Sequence, residues 1–392
     1  MIPQEEAQSI IQSSVFQLNT NEIVSIFNCL ERVLFHDIIS DINMPPFNKS
    51  AMDGYACKLS DIHEPMQVLE IIAAGSLPTM TIEKGKCSKI MTGAMIPLGA
   101  DCVIKVEDTI ELNQNTIQFT KNTTSTNICF EGEDFKQNTL LIEKGTLLKP
   151  QHIPVLATAG YSEVSVYAKT KVAIISTGDE LVEPSEKPSL GKIRNSNAYQ
   201  LYAQCVNAGA APKYYGIALD NENSLNEIIS KAHSECQITI LTGGVSMGDF
   251  DFVPKILVEQ GFDIKFKSIA VQPGRPTLFG VNIDKFCFGL PGNPVSSFVQ
   301  FELMVKPLIK KLQGEKIDYS ENMVNFNGNY KRINCDRKAW IPVFVDNEQN
   351  ARIINYNGSA HINAYTQANA MMEIKIGVTE IENGEKINVR FI

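Results

Sequence analysis

The chain has 392 residues, of which 44% are hydrophobic and 20% charged, and its formal net charge is −9 at neutral pH. A domain usually takes about 100 to 200 residues, so roughly two to four are expected, and nothing in the composition suits a collagen-like or disordered chain. The negative balance leaves no general electrostatic footprint for nucleic acid, and no basic amphipathic segment is available for an anionic membrane, so an anionic ligand needs a local device to overcome the field of the chain itself.

The opening MIPQEEAQSI has neither the basic nor the apolar region of a secretory signal, and no run approaches the ~18 apolar residues of a membrane span; a cytoplasmic location is expected. A helical piece is predicted over about residues 4–37. With the joining stretch that begins at LLIEKG, it makes an N-terminal helical/linker region of residues 1–42 plus 141–169. Between 43 and 140, the short β-rich runs QVLEII, CSKIM, CVIKV and TIQF alternate with turn signals at Gly75, Gly85 and Asn113-Gln114-Asn115, the pattern of an all-β module. Within it, FNKSAMDGYA sets Asp53 before Gly54. Alone, that pair suits a tight hairpin turn, because both residues tolerate positive φ.

From 170 to 315 the period changes. KVAIIS reads as a buried strand, NAYQLYAQCVNAG as a helix stopped by Gly209, and a capping box Ser224-x-x-Glu227 opens LNEIISKAHS; QITIL and FCFGL are further strands. Strands alternating with helices imply a parallel sheet covered on both faces. Residues 316–392 return to short strands, WIPVFV, ARIINY, MMEIKIG and KINVRFI, and read as a small barrel or sandwich. The nine cysteines are scattered and never in C-x-x-C spacing, so reduced, mostly buried thiols are expected, and the five histidines form no ligand pair.

In the α/β region each predicted strand ends in a loop of small and acidic residues: Thr177-Gly178-Asp179-Glu180, then Thr242-Gly243-Gly244-Val245-Ser246 running on to Asp251, then Pro291-Gly292-Asn293-Pro294. Asn293 suits an N-cap and Pro294 a first helical turn. Ligands bind outside the carboxyl ends of such strands, where glycine lets backbone N–H groups approach a phosphate. The same loops carry Asp179, Glu180, Asp249 and Asp251, with Asp220 nearby. A helix terminus contributes only ~0.3 to 1 kcal/mol, whereas like charges about 4 Å apart cost ~4 kcal/mol at an effective dielectric of 20. A divalent cation, most simply Mg²⁺ held by one or two carboxylates and by phosphate oxygens, resolves the conflict. Arg275 in QPGRP supplies a fork suited to a tetrahedral oxyanion. Gly244-Val245-Ser246-Met247-Gly248 also fits a nucleophile elbow, but Asp249-Phe250-Asp251 intervenes before the helix that Pro254 signals, and the only downstream histidine is His361, so a hydrolase is disfavoured.

The stretches PPFNKSAMDGYA, IMTGAMIP, EGEDF, STGDEL, IRNSN, TGGVSMGDFDF, QPGRP, GLPGNPVSS and AHINAYTQANA occur in this order. On them the chain resembles, from about residue 40 onward, the molybdopterin molybdenumtransferases, the MoeA-like family that includes the E domain of gephyrin. The resemblance implies multidomain α/β plus β: a parallel-sheet α/β domain of the molybdopterin-binding type, flanked by a β-rich module, an N-terminal helical/linker region and a C-terminal small β-barrel. It implies Mg²⁺-dependent conversion of adenylylated molybdopterin and molybdate into molybdenum cofactor with release of AMP. An elongated homodimer is implied too, with the active site between the α/β domain of one subunit and parts of the other. A molybdopterin adenylyltransferase and apo-molybdoenzymes are the implied protein partners.

By the same resemblance Asp53, Thr92, Asp134, Glu180, Asp220 and Asp251 are catalytic positions, with Glu180, Asp220 and Asp251 toward metal or water. Ser50, Gly243, Gly244, Ser246, Arg275, Pro291, Gly292 and Pro294 are substrate-binding positions, the last loop toward the pterin. The chain departs from the family pattern at Gln272 and Arg275, where many relatives carry lysines, at Asn221, where a second aspartate is frequent, and after GED, where FKQN replaces a common glycine. The competing reading is a non-catalytic molybdopterin-binding or scaffolding protein of the same fold.

Overall fold

A computed structural model describes residues 1–15, 20–244, 252–316 and 321–392. In the strand Lys171–Thr177, Val172 and Ile174 join one apolar cluster with Ile238, Ile240 and Phe288, while Ala173 and Ile175 join a second with Leu241 and Cys287. A strand buried on both faces explains the unbroken apolar run. The sheet has six strands in the order Ala211–Ala218, Lys171–Thr177, Ile238–Thr242, Lys285–Leu290, Pro276–Asn282 and Asp263–Ser268. The first four are parallel, and Pro276–Asn282 runs antiparallel to both of its neighbours, one reversed strand in the expected parallel sheet. Asn282 pairs with Lys285 across Ile283 and Asp284, and so short a turn can join only antiparallel neighbours.

Helix Asn197–Asn207 buries Ala198, Leu201 and Cys205 on one face and ends before Gly209 at φ +78°, as the pattern predicts. Helix Glu222–Glu235 differs from expectation at its start. Its N-cap is Asn221, whose side chain accepts from the Ser224 N–H at 2.9 Å, so Ser224 and Glu227 lie inside the helix rather than forming its capping box.

The helical expectation for residues 4–37 holds only for Gln4–Ser13. Asn21–Ser25 is a strand paired antiparallel with Glu163–Tyr167, and Ile26–Asn28 is a single 3₁₀ turn. Leu34, Ile38, Leu148, Leu156 and Val166 give this region its own small core. Helix Gln4–Ser13 packs elsewhere: Ala7 and Ile11 enter the α/β cluster, Gln8 Nε2 donates to Leu303 O at 3.1 Å, and Trp340 Nε1 donates to Gln4 Oε1 at 2.8 Å.

Between residues 43 and 140 lies a six-stranded sheet ordered Cys102–Lys105, Gly54–Cys57, Lys86–Ile90, Met66–Ile72, Thr116–Phe119 and Thr109–Asn113. The C-terminal strands close on themselves, because Lys338–Val345 pairs with both Asn350–Ile353 and Ala370–Ile374 while Asn322–Phe326 and Lys386–Phe391 complete the ring. Ala339, Ile341, Val343 and Val345 fill its interior at every second position, the alternation of a small barrel. Among the described residues, no helix is long and apolar enough to cross a membrane.

His233, in the last turn of Glu222–Glu235, lies against Phe262 with ring centroids 4.4 Å apart, and its Nδ1 faces Gln260 Oε1 at 3.0 Å. Burial, with Lys285 nearby, depresses its pKa from 6.5 to about 4. The unfolded chain therefore takes up a proton before the folded one does. Stability from this site is complete above about pH 6.5 and falls by roughly 3 kcal/mol as pH drops toward 4. Chemical denaturation of His233→Gln between pH 4 and 7.5 should show a markedly flatter pH dependence than the unsubstituted protein.

Candidate active site

The carboxyl ends of three strands lie side by side, with Ser176 paired to Thr242 and Thr242 to Leu290. Gly243, at φ +89°, closes the gap between the first two loops: a Cβ there would come 2.4 Å from Thr177 O, and one on Gly244 would come 2.9 Å from Thr177 Oγ1. Asn197 Nδ2 clasps the second and third loops, donating to Thr242 Oγ1 at 3.1 Å and to Gly292 O at 2.7 Å. Among the described residues, the buried Thr177 Oγ1 and Asn197 Oδ1 have no hydrogen-bond partner. Buried polar atoms are costly in that state, and a polar ligand group would relieve them.

Around this crevice stand the acidic groups. Glu180 is exposed and its carboxylate folds back over Gly178, where a Cβ would approach Oε2 to 2.6 Å. Asp220 follows Ala218, which pairs with Thr177, and its N–H reaches Asp179 Oδ1 at 3.4 Å. Glu180 and Asp220 thus share one sheet edge, while Ser246 and Asp251 lie outside the described residues. Arg275 is exposed ahead of Pro276–Asn282, and the pairing of Leu278 with Gly289 puts it beyond the Leu290 end, on the same edge. Pro291 is buried, Gly292 exposed, and Pro294 opens helix Pro294–Gln300. Asn293 holds the N-cap position without capping. Its Nδ2 donates to Ser359 Oγ at 2.9 Å, tying the third loop to the C-terminal segment.

Among the described residues no three His, Cys, Asp or Glu side chains converge as a closed ion cage. Mg²⁺ does not ask for one: it takes one or two carboxylates, keeps water and fills its shell with phosphate oxygens. The acidic set here is all oxygen, the donor chemistry that a small hard cation takes. The residues present fit it.

A second set lies in the 43–140 module. Asp53 Oδ1 accepts from Thr92 N–H at 2.7 Å and from Thr92 Oγ1 at 2.9 Å. These two bonds, backbone first, hold the Asp53 carboxyl below its ordinary range, although the group is exposed. The positive-φ hairpin suggested by Asp-Gly does not form. Gly54 starts the strand Gly54–Cys57, and glycine is required there because a Cβ would stand 1.9 Å from Ile104 O. Ser50 is buried, its Oγ donating to Met52 O at 2.5 Å while Gly93 N–H donates to its carbonyl at 2.8 Å, so it locks the two motif loops together. Asp134 is exposed and its N–H donates to Met44 O at 2.9 Å. Asp53 and Thr92 are bonded to one another, Asp134 sits on the same module against Met44, and Glu180 and Asp220 lie on the α/β sheet edge. No hydrogen bond or ion pair between described residues joins the two modules, and their apolar clusters are separate.

A groove of about 920 Å³ between helix Gln4–Ser13 and the barrel is lined by Lys306, Lys338, Trp340 and Lys375, and none of the strand-end residues faces it. Thr177, Asn195 and Asn197 were not singled out from sequence. The signal available was the pair of asparagines in IRNSN just before an apolar helix.

Residues 2–160 match the MoeA N-terminal region (domain I and II), and residues 173–311 match a probable molybdopterin binding domain. A molybdopterin molybdenumtransferase of Staphylococcus epidermidis is 34% identical over 396 residues, covering 98% of this chain and 94% of that protein. The chain belongs to the molybdopterin molybdenumtransferase family. Another molybdopterin molybdenumtransferase, from Bacillus subtilis, is 39% identical over 300 residues, covering 74% of this chain and 70% of its own. The crystal structure of a molybdopterin biosynthesis MoeA protein from Pyrococcus horikoshii superposes with a TM-score of 0.86 at 29% identity, covering 100% of this chain and 99% of that one. Family membership makes the protein a transferase of molybdenum cofactor biosynthesis.

Two substitutions test the geometry. Thr92→Val removes one of the two donors to Asp53, so the Asp53 carboxyl should titrate at a higher pH than in the unsubstituted protein, as followed by carboxyl NMR. Gly243→Ala drives a side chain into the Thr177 carbonyl at an unfavourable φ, and should lower the thermal midpoint by an amount equivalent to about 1 kcal/mol or more together with at least a tenfold loss of rate.

Proposed function

We propose that the protein inserts molybdenum from molybdate into adenylylated molybdopterin and releases AMP, with Mg²⁺ required, and that it works as a homodimer in the cytoplasm. The observation that carries this reading is the acidic pair Glu180 and Asp220 beside a glycine-lined crevice at the strand ends, in a chain of this family. Molybdate and the nucleotide phosphates are both anionic, and unscreened carboxylates would oppose them by ~4 kcal/mol per close pair. When bound, Mg²⁺ would reduce that repulsion and offset charge on the departing phosphate.

The chain's own groups divide the work. Glu180 and Asp220 hold the cation or a water; Gly243 and Gly244 let the backbone approach the substrate; Arg275 offers a fork to the oxyanion. Pro291, Gly292 and Pro294 form the wall toward the pterin. Asp53, kept ionised by Thr92, orients substrate from the other module together with Asp134. Water attacks the diphosphate, whose P–O bond breaks to leave AMP and the pterin phosphate, and the two dithiolene S–H groups replace one oxo ligand of molybdate, which departs as water with both thiol protons while molybdenum keeps its oxidation state. An adenylyltransferase must supply the substrate, and apo-molybdoenzymes consume the product.

The separation of Asp53 and Asp134 from Glu180 and Asp220 supports the homodimer, with each crevice completed by a second copy. Incubating the purified protein with adenylylated molybdopterin, molybdate and Mg²⁺ should yield AMP and cofactor in equal amounts; AMP without metal insertion, or neither product, would sink the reading. Asp53→Ala and Asp220→Ala should each be folded and nearly inactive. Unfolded and refolded together, they should recover about a quarter of the normal rate, because half of the subunits pair as mixed dimers with one intact site. Separately inactive variants that never complement would count against a shared site.

A further inference from the structure

Residues 178–196 carry Asp179 and Glu180 out of the sheet and back, and none of them belongs to an apolar cluster. Leu190 and Ile193 are exposed. The backbone is held by short parallel pairing of Leu181–Val182 with Ile193–Arg194, in which Ile193 N–H donates to Glu180 O at 2.8 Å and Asn195 N–H to Val182 O at 2.9 Å. A segment with so little apolar cover would open readily unless something else fixed it.

What fixes it is a run of polar contacts. Ser176 Oγ donates to Asn195 Oδ1 at 3.2 Å, and Asn195 Nδ2 donates to the Tyr214 hydroxyl at 2.8 Å. The Tyr214 hydroxyl donates to Glu183 Oε1 at 2.7 Å, and the Tyr199 hydroxyl donates to Glu183 Oε2 at 2.9 Å. Ser176 and Asn195 are buried, so the run is anchored in the sheet at one end and grips the acidic segment at the other. Tyr199 and Tyr214 come from different elements, helix Asn197–Asn207 and strand Ala211–Ala218. With each oxygen of Glu183 already bound to a phenol, this carboxylate is occupied as an anchor three residues from Glu180.

We propose that Glu183 is a positioning residue: gripped by Tyr214 and Tyr199, and linked through Asn195 to Ser176, it fixes the Asp179–Glu180 turn so that the Glu180 carboxylate stands at the crevice. Burial, then the Glu183 carboxylate, push the Tyr214 phenol well above its ordinary range, so it remains a donor at working pH. The effect on turnover rests on the role given to Glu180 above; the effect on the segment does not.

The test compares the full-length protein with Tyr214→Phe, Glu183→Gln and Tyr215→Phe. Tyr215 is the next residue on the strand, and its hydroxyl donates instead to Glu235 Oε2 at 2.7 Å. In Tyr214→Phe and Glu183→Gln, amide hydrogen exchange across residues 178–196 should quicken about tenfold, and kcat for AMP release should fall about ten- to a hundredfold, with the half-saturating Mg²⁺ concentration raised and thermal midpoints kept within a few degrees. Tyr215→Phe should change none of these. Unaltered exchange in Tyr214→Phe and Glu183→Gln, or faster exchange with an unaltered kcat, would overturn the proposal. If the unsubstituted protein releases no AMP, the function proposed above fails, and the exchange arm alone decides this one.

Discussion

The approach of Gly243 to the end of Lys171–Thr177 sets the geometry on which the candidate site depends. With no side chain at that position, the second loop lies against the Thr177 carbonyl, and Asn197 can then reach both Thr242 and the carbonyl of Gly292. Three loops from three strands become one surface, carried on a sheet packed on both faces. Rigid backing of that kind lets dipoles and carboxylates be placed before the substrate arrives, which is what electrostatic assistance to phosphate chemistry requires.

Much of this was legible in the sequence where local physics and the final fold agree. Continuous apolar runs marked the central strands, Gly209 marked a helix end, and the alternation in WIPVFV marked a barrel strand. The misreadings share one cause: a local preference had a distant competitor. Asp53-Gly54 fits a turn by composition, yet Gly54 is demanded by Ile104, fifty positions on. Ser224 and Glu227 look like a capping box, yet Asn221 already caps the helix. The hairpin between Pro276–Asn282 and Lys285–Leu290 turns on Ile283 and Asp284, which carry none of the usual glycine or asparagine signal.

The acidic positions were readable because motifs carry them as residue types in order. Their surroundings were not. Asn195, Tyr214 and Glu183 matter through partners 16 to 31 positions away, and the unpaired oxygens of Thr177 and Asn197 are visible only once neighbours are in place. Asp53 illustrates the difference in kind. Its charge was evident from the sequence, but its being held by both donors of one threonine is a fact of sheet register.

The way helix Gln4–Ser13 packs has a consequence for how the chain acquires its structure. Its glutamines Gln8 and Gln4 hydrogen-bond to Leu303 and Trp340, contacts that span 295 and 336 positions, while Ala7 and Ile11 enter the α/β cluster. By contrast, the 43–140 sheet draws all its strands from one continuous stretch. Closing very long loops is entropically slow, and a growing polypeptide emerges from its N-terminal side. The sheet between residues 43 and 140 can therefore assemble while translation is still under way, whereas Ala7 and Ile11 stay uncovered until the α/β segments they pack against have been made.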